Sequence, residues 1–272
     1  CTTIGSYAFQ SCSALTSVNF PECTTIGSCA FQFCSALSSV SFPECTTIGS
    51  YAFQSCSALT SVSFPKVERV EQRAFLYNSK ITNIDLPMCS FLEGDAFAVM
   101  NNLRSISLPK LELALDEALC GQYVLTSIYL PECKELNYYL PLRNAREGMF
   151  FTNYAMSIVD MPKCTYIENS AFWSCSALTS VSLPVLSSIA NCVLFTTCNT
   201  LSSIYLPELE NSLNAGLVNT CPVLTSINLP KLKSILYTYR DILYYLAQLH
   251  HFHYKIKFYH ICFQDYLLFQ QK

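Results

Sequence analysis

Residues 45–66 read CTTIGSYAFQSCSALTSVSFPK, and residues 1–22 read CTTIGSYAFQSCSALTSVNFPE. The two stretches differ only at Asn19 against Ser63 and at Glu22 against Lys66, and residues 23–44 are nearly the same again. The period of 22 is kept by Pro21, Pro43, Pro65, Pro87, Pro109 and Pro131. After a nine-residue insertion the beat resumes at Pro162, Pro184, Pro207 and Pro230, which makes ten turns. A fixed period of roughly 20–50 residues marks a solenoid, in which each turn buries its apolar residues against its neighbours.

Aligned on the prolines, one turn shows two apolar sets. The first lies six, three and one places before proline, as in Leu59, Val62 and Phe64 or Leu178, Val181 and Leu183. Its final alternation predicts a short strand with Val and Phe turned inward and the intervening serines outward. That strand ends at proline, which has no N–H to continue a ladder. The second set is the Ile five places after proline with the Ala-Phe pair, as in Ile48, Ala52 and Phe53. Stacked at about 4.8 Å, ten turns predict a body roughly 50 Å long.

This L-x-x-V-x-F-P-x-x-x-x-I-G-S-x-A-F-x-x-C-S-x-L unit, spanning residues 1–235, resembles the BspA-like leucine-rich repeats. The resemblance implies a leucine-rich repeat solenoid of the α/β-horseshoe class, mostly β with little helix. Its concave face would be one parallel sheet built from the L-x-x-V-x-F strands. The departures are the insertion around Glu135–Arg146, with Tyr138, Tyr139, Pro141, Arg143 and Arg146, and the last turn, where Leu213–Val218 replaces I-G-S-x-A-F. Family members are typically surface or secreted proteins, several linked to adhesion. The resemblance therefore implies a non-catalytic adhesion or binding module at a cell surface or secreted, recognising a protein or glycan ligand of a host or its matrix. An intracellular, cytoplasmic protein–protein interaction scaffold and a purely structural stalk are the alternatives.

Composition narrows the classes. Charged residues make up 13% of the chain and the net charge is −3, while 51% of residues are hydrophobic. That balance opposes disorder. Sixteen Lys and Arg provide no basic footprint for nucleic acid, and no run of about 18 apolar residues predicts a transmembrane segment. There is no nucleophile elbow, P-loop, G-x-G-x-x-G or H-E-x-x-H motif, and no histidine precedes residue 250 to serve a serine as base. The expectation is no enzyme and no cofactor.

The 16 cysteines follow the repeat. Cys12, Cys34, Cys56, Cys175, Cys198 and Cys221 stand nine places before proline, where sister turns hold Asn78, Met100, Gln122 and Asn153. Cys1, Cys23, Cys45, Cys89, Cys133 and Cys164 stand two places after one, where sister turns hold Val67, Leu111, Leu186, Leu209 and Leu232. Such replacements read as small buried hydrophobes rather than a disulfide framework, and no C-x-x-C pair offers zinc spacing. No metal site is expected. Cys1 fits the repeat register, so the chain is read as a fragment that starts inside a turn; any signal peptide would lie upstream.

Candidate contact residues are the exceptions on the outward side of the L-x-x-V-x-F strands: Asp85, Tyr129, Asp160 and Tyr205, with Arg104 nearby. Tyrosine gives large contact area at low entropic cost, and carboxylates accept hydrogen bonds from sugar hydroxyls or basic groups. The rest of that face is serine, which also suits a merely solvated sheet. Residues 236–272 change character, with all four histidines and no Ser, Gly or Pro. They read as a cap on the solenoid or a non-native tail. His250, His251, His253, His260 and Cys262 resemble a metal cluster by residue type alone, because their strand-like alternation divides them between two faces.

Overall fold

A computed structural model describes residues 1–137, 148–168, 170–190, 193–213 and 216–235. The insertion residues Tyr138, Tyr139, Pro141, Arg143 and Arg146, the cysteines Cys192 and Cys262, and the whole segment 236–272 lie outside the described residues. The described chain is a parallel β-solenoid of about ten turns with no helix. Each turn has three arms, one per local sequence motif.

The first arm is the Thr-Ile segment. Eleven short strands, from Thr3–Ile4 through Thr47–Ile48, Leu113–Leu115 and Glu135–Asn137 to Ser234–Ile235, form one unbroken parallel sheet. Register is strict, with Ile4, Ile26, Ile48, Val70 and Leu92 in one inward column. Glu135–Asn137 belongs to this sheet, so the first three residues of the expected insertion continue the repeat. At Gly148 a Cβ would lie 2.5 Å from the Ala171 backbone, so that position fits only glycine.

The L-x-x-V-x-F arm differs from expectation. It is parallel and its alternation holds, with Val40 and Phe42 buried between exposed serines. It does not form one sheet. It divides into Ser39–Ser41 with Ser61–Ser63, Asn83–Asp85 with Ser105–Ser107, a three-stranded sheet over Ser127–Tyr129, Ile158–Asp160 and Ser180–Ser182, and Ser203–Tyr205 with Ser226–Asn228. The continuous sheet is the other arm. The physical difference is proline, which removes a donor at the end of every L-x-x-V-x-F strand and leaves little to bridge a local mismatch.

The third arm, S-x-A-F-Q-x-C, alternates two kinds of hydrogen bond. Phe31 N–H donates to Ala52 O of the next turn at 2.8 Å, while Cys34 N–H closes back on Phe31 O at 3.1 Å. This zigzag needs left-handed residues, and two columns supply them: Tyr7, Cys29, Tyr51, Arg73 and Asp95, and four places later Ser11, Phe33, Ser55, Tyr77, Val99, Gly121, Thr152, Ser174, Thr197 and Thr220. From Phe172–Trp173 onward the arm becomes strands, Val193–Thr196 and Gly216–Asn219. The prolines are 23 apart in the last two of these turns, Pro184 to Pro207 to Pro230, and 22 apart in the turn of Phe172–Trp173.

The core is a set of columns. Phe9, Phe31, Phe53, Phe75 and Phe97 stack at 5.2–5.3 Å, and Phe42 and Phe64 tilt against them at about 6 Å. The stack resumes after the insertion with Phe150, Phe172 and Phe195. Offset ring pairs of this kind add to their area burial. Outside, Lys66–Glu44, Lys163–Glu132 and Lys231–Glu208 pair one turn to the next at 2.6–2.7 Å. Being exposed, they contribute little to stability.

Candidate functional site

Hydroxyls separate into two populations. Thr24, Thr46, Thr165 and Ser187 at one corner, and Ser38, Thr60, Ser157 and Thr179 before the L-x-x-V-x-F strands, each donate to a backbone carbonyl of the preceding turn at 3.0–3.4 Å. They double the inter-turn ladder. The serines on the outward side of the strands face solvent, and the described contact among them is Ser105 Oγ to Asn83 Oδ1 at 2.7 Å. That outward side is therefore the surface whose polar groups the fold leaves available.

The five sequence candidates all lie on or beside it. Tyr129 and Asp160 are register partners on adjacent strands, followed by Ser182. Tyr129 is 58% exposed, and Asp160 is half-buried. Asp85 pairs in register with Ser107, one strand before Tyr129, and Tyr205 stands beyond Ser182, opposite Asn228. Each is thus about 10 Å, two strand spacings, from the central pair. Arg104 is exposed at the entry to Ser105–Ser107, its N–H on Thr82 O at 2.7 Å. The structure unites Tyr129 with Asp160 and leaves Asp85, Arg104 and Tyr205 as separate points along one face. All three breaks in the strand ladder fall immediately before Asp85, Tyr129 or Tyr205.

Two aromatic residues outside the candidate set belong to the same surface. Tyr123 and Tyr154 occupy the position of Ser57, and their rings stack at 5.8 Å and 20° on the loop leading to Tyr129 and Asp160. Both are exposed, as is Ile158. Reading the column eight places before proline would have found the pair, since two consecutive turns exchange Ser for Tyr.

Elsewhere, ionic groups serve the solenoid. Arg73 Nε meets Asp95 Oδ2 at 2.8 Å and its Nη1 donates to Tyr51 Oη at 3.1 Å. Glu71 accepts from both N–H and Oγ of Ser50 at 3.0 Å, one turn back. Asp95, Glu117 and Cys120 bring ligand-type atoms within 4.8 Å of one another. Asp95 is the ion-pair partner of Arg73.

The cysteine columns are buried as expected, apart from Cys1 and Cys12 on the exposed first turn. Their role in the column before proline exceeds that of a small hydrophobe. Cys34, Cys56 and Cys175 each donate Sγ–H to the carbonyl of a Phe 25 residues earlier, at 3.0–3.1 Å. Asn78 and Gln122 place an amide in the same bond, on Phe53 O and Phe97 O. Apart from Met100, the buried residues of the column are donors, and Asn and Gln supply one where they replace Cys. Burial pushes the Cys56, Cys89, Cys133 and Cys175 thiols up to about 12, so they stay protonated and donate.

A model of the BspA type leucine rich repeat region matches residues 2–119 and 142–267, in six copies. The chain belongs to this family. No curated protein matches it. Among solved structures, this BspA-type chain is similar to a leucine rich cell surface protein of Faecalibacterium prausnitzii A2-165, at 20% identity and a TM-score of 0.51, over 84% of this chain and 83% of that one. It is also similar to the leucine rich repeat protein of T. pallidum, at 20% identity and a TM-score of 0.49, over 73% and 82%. The first likeness bears on the fold alone. Among the described residues no helix is long and apolar enough to cross a membrane.

Proposed function

We propose that this BspA-type solenoid is a non-catalytic cell-surface binding module that holds its ligands on the outward side of the L-x-x-V-x-F strands. Residues 1–235 carry the repeats, and Asp85, Arg104, Tyr129, Asp160 and Tyr205 are the contact points. The observation that carries the reading is the division of hydroxyls: two columns are consumed by inter-turn bonds, whereas the outward columns face solvent. A surface so arranged is an extended, shallow row of polar and aromatic groups. Affinity on such a face accumulates from many weak contacts. No described group of side chains converges on a nucleophile and a base, the arrangement a catalytic reading would require. The surface location is supported by the family, and by the description of the similar F. prausnitzii protein as a cell surface protein.

Protease treatment of intact source cells, with mass spectrometry of the released peptides, tests the location. Peptides such as Tyr51–Lys66 are expected in the supernatant without lysis. Their retention until lysis would overturn the surface reading and leave the intracellular scaffold in its place.

A further inference from the structure

The repeat provides its own internal comparison. Residues 57–63 read SALTSVS and residues 176–182 read SALTSVS again. Between them, the sixth turn reads YVLTSIY at 123–129 and the seventh YAMSIVD at 154–160. Inward positions keep their character: Leu125, Ile128, Met156 and Val159 are buried, as is Leu59. The outward positions change, to Tyr123, Tyr154, Tyr129, Ile158 and Asp160. The two turns are neighbours in the stack, with Tyr129 and Asp160 in register.

Exchanging Ser for exposed Tyr or Ile adds nothing to the core and costs solubility, because grouped exposed apolar side chains are sticky. A surface contact accounts for the four exposed exchanges to Tyr and Ile. The chemistry of the patch then narrows the partner. Neither 123–129 nor 154–160 contains Lys, Arg or His, so these two segments offer no countercharge to nucleic acid, a phosphate or a sulfated chain. One carboxylate, Asp160, is too little for a basic peptide. The patch instead offers aromatic rings, an aliphatic side chain, the Ser127 hydroxyl and a single carboxylate beside Tyr129.

We propose that Tyr123, Tyr154, Ile158, Ser127, Tyr129 and Asp160 form a site for a neutral oligosaccharide. The C–H faces of sugar rings pack on the tyrosines and Ile158, and Asp160 accepts hydrogen bonds from neighbouring sugar hydroxyls. The site rests on the binding-module reading and specifies its ligand class. Neutral sugars match it because they combine apolar faces with many hydroxyl donors and carry no charge to compensate.

The test applies the full chain to an array of neutral gluco-, manno-, xylo- and chito-oligosaccharides, with sulfated and sialylated glycans alongside, followed by calorimetry on the best neutral ligand. Tyr129→Ala and Tyr123→Ala are each expected to weaken binding about tenfold, the equivalent of one stacked ring. Tyr77→Ala, at an exposed tyrosine on the S-x-A-F-Q-x-C arm away from these strands, leaves binding unchanged. Both central tyrosines are exposed, and circular dichroism verifies that the variants fold. Absence of neutral-glycan binding, binding of sulfated or sialylated glycans alone, or binding unaffected by Tyr129→Ala overturns the proposal. Beads coated with the chain, applied to cells before and after enzymatic deglycosylation, separate the two levels. Attachment that survives deglycosylation points to a protein partner and overturns the glycan site but keeps the binding module; no attachment at all removes both.

Discussion

The donor column makes a prediction that single-site intuition reverses. At residue 78 the repeat prefers Cys, so Asn78→Cys restores the consensus. In the structure Asn78 Nδ2 serves two carbonyls, Phe53 O and Phe75 O, each at 2.8 Å. The second belongs to the next turn's donor, but residue 100 is Met, buried and without a hydrogen to give. A thiol at 78 reaches Phe53 O by the geometry of Cys56 on Phe31 O, and leaves Phe75 O alone. An orphaned buried carbonyl costs about 1–3 kcal/mol. Met100→Cys supplies the missing donor, 25 residues after Phe75 as Cys175 is after Phe150.

Asn78→Cys is therefore expected to cost about 1–3 kcal/mol more in the Met100 background than beside Met100→Cys. The buried Asn78 Oδ1, which has no partner, is lost in both arms and cancels from the cycle. Volume changes at Met100 are controlled by Met100→Ala, which makes a cavity but donates nothing and should not rescue. Urea unfolding of the four variants reads the coupling, with a melting difference of roughly 2–4 °C per kcal/mol as a second measure. Additivity within about 0.4 kcal/mol, or equal rescue by Met100→Ala, would refute the donor account.

Two further predictions concern the other buried features. The Cys45, Cys56, Cys89, Cys133 and Cys175 thiols are raised by burial from 9.0 to about 12. An unfolded chain releases these protons first, so stability is full below pH 9 and falls as pH rises toward 12, by about 1.4 kcal/mol per unit for each thiol; a melting temperature level from pH 8.5 to 10.5 would contradict this. Gly121 has φ +68° and a Cβ there would meet Val99 only at 3.5 Å, so Gly121→Ala is expected to cost about 1 kcal/mol from conformation alone. Ser55→Gly, in the same left-handed column, should gain a fraction of that, and the reverse order of stabilities in thermal melts would refute the assignment.

The solenoid was legible because repetition multiplies a weak local signal: one Leu-x-x-Val-x-Phe is ambiguous, ten in register are not. The inward columns followed directly from alternation. Which arm carries the unbroken sheet was not legible, since Thr47–Ile48 is two residues long and no strand pattern of two residues can be read. The left-handed columns were hidden for a different reason. Their residues include Phe33, Tyr77, Val99 and Thr152, none of which favours positive φ. Inter-turn bonds impose that conformation, and such bonds are invisible to a local reading. In the site, Tyr129 and Asp160 were found through the column that contains them. Tyr123 and Tyr154 were not, because their column lies on a loop where tyrosine looks unremarkable until its neighbours in the stack are aligned.

The same alignment argues for where function resides in this molecule. In a stacked array each turn contacts only its neighbours, so inward columns are constrained alike in every turn. Outward columns carry no such constraint, and drift alone would scatter their changes among the turns and favour small polar residues. Between Tyr123 and Asp160 the changes are instead grouped, and apart from Asp160 large and aromatic or aliphatic, within two adjacent turns whose cores are intact. Grouping without a packing requirement implies something outside the solenoid that touches those turns together. The spacing of the strands sets its dimensions: a ligand lying across two turns needs to be only about 5 Å deep along the stack, the thickness of one sugar ring, while it extends along the strand from the Tyr123–Tyr154 pair to Tyr129.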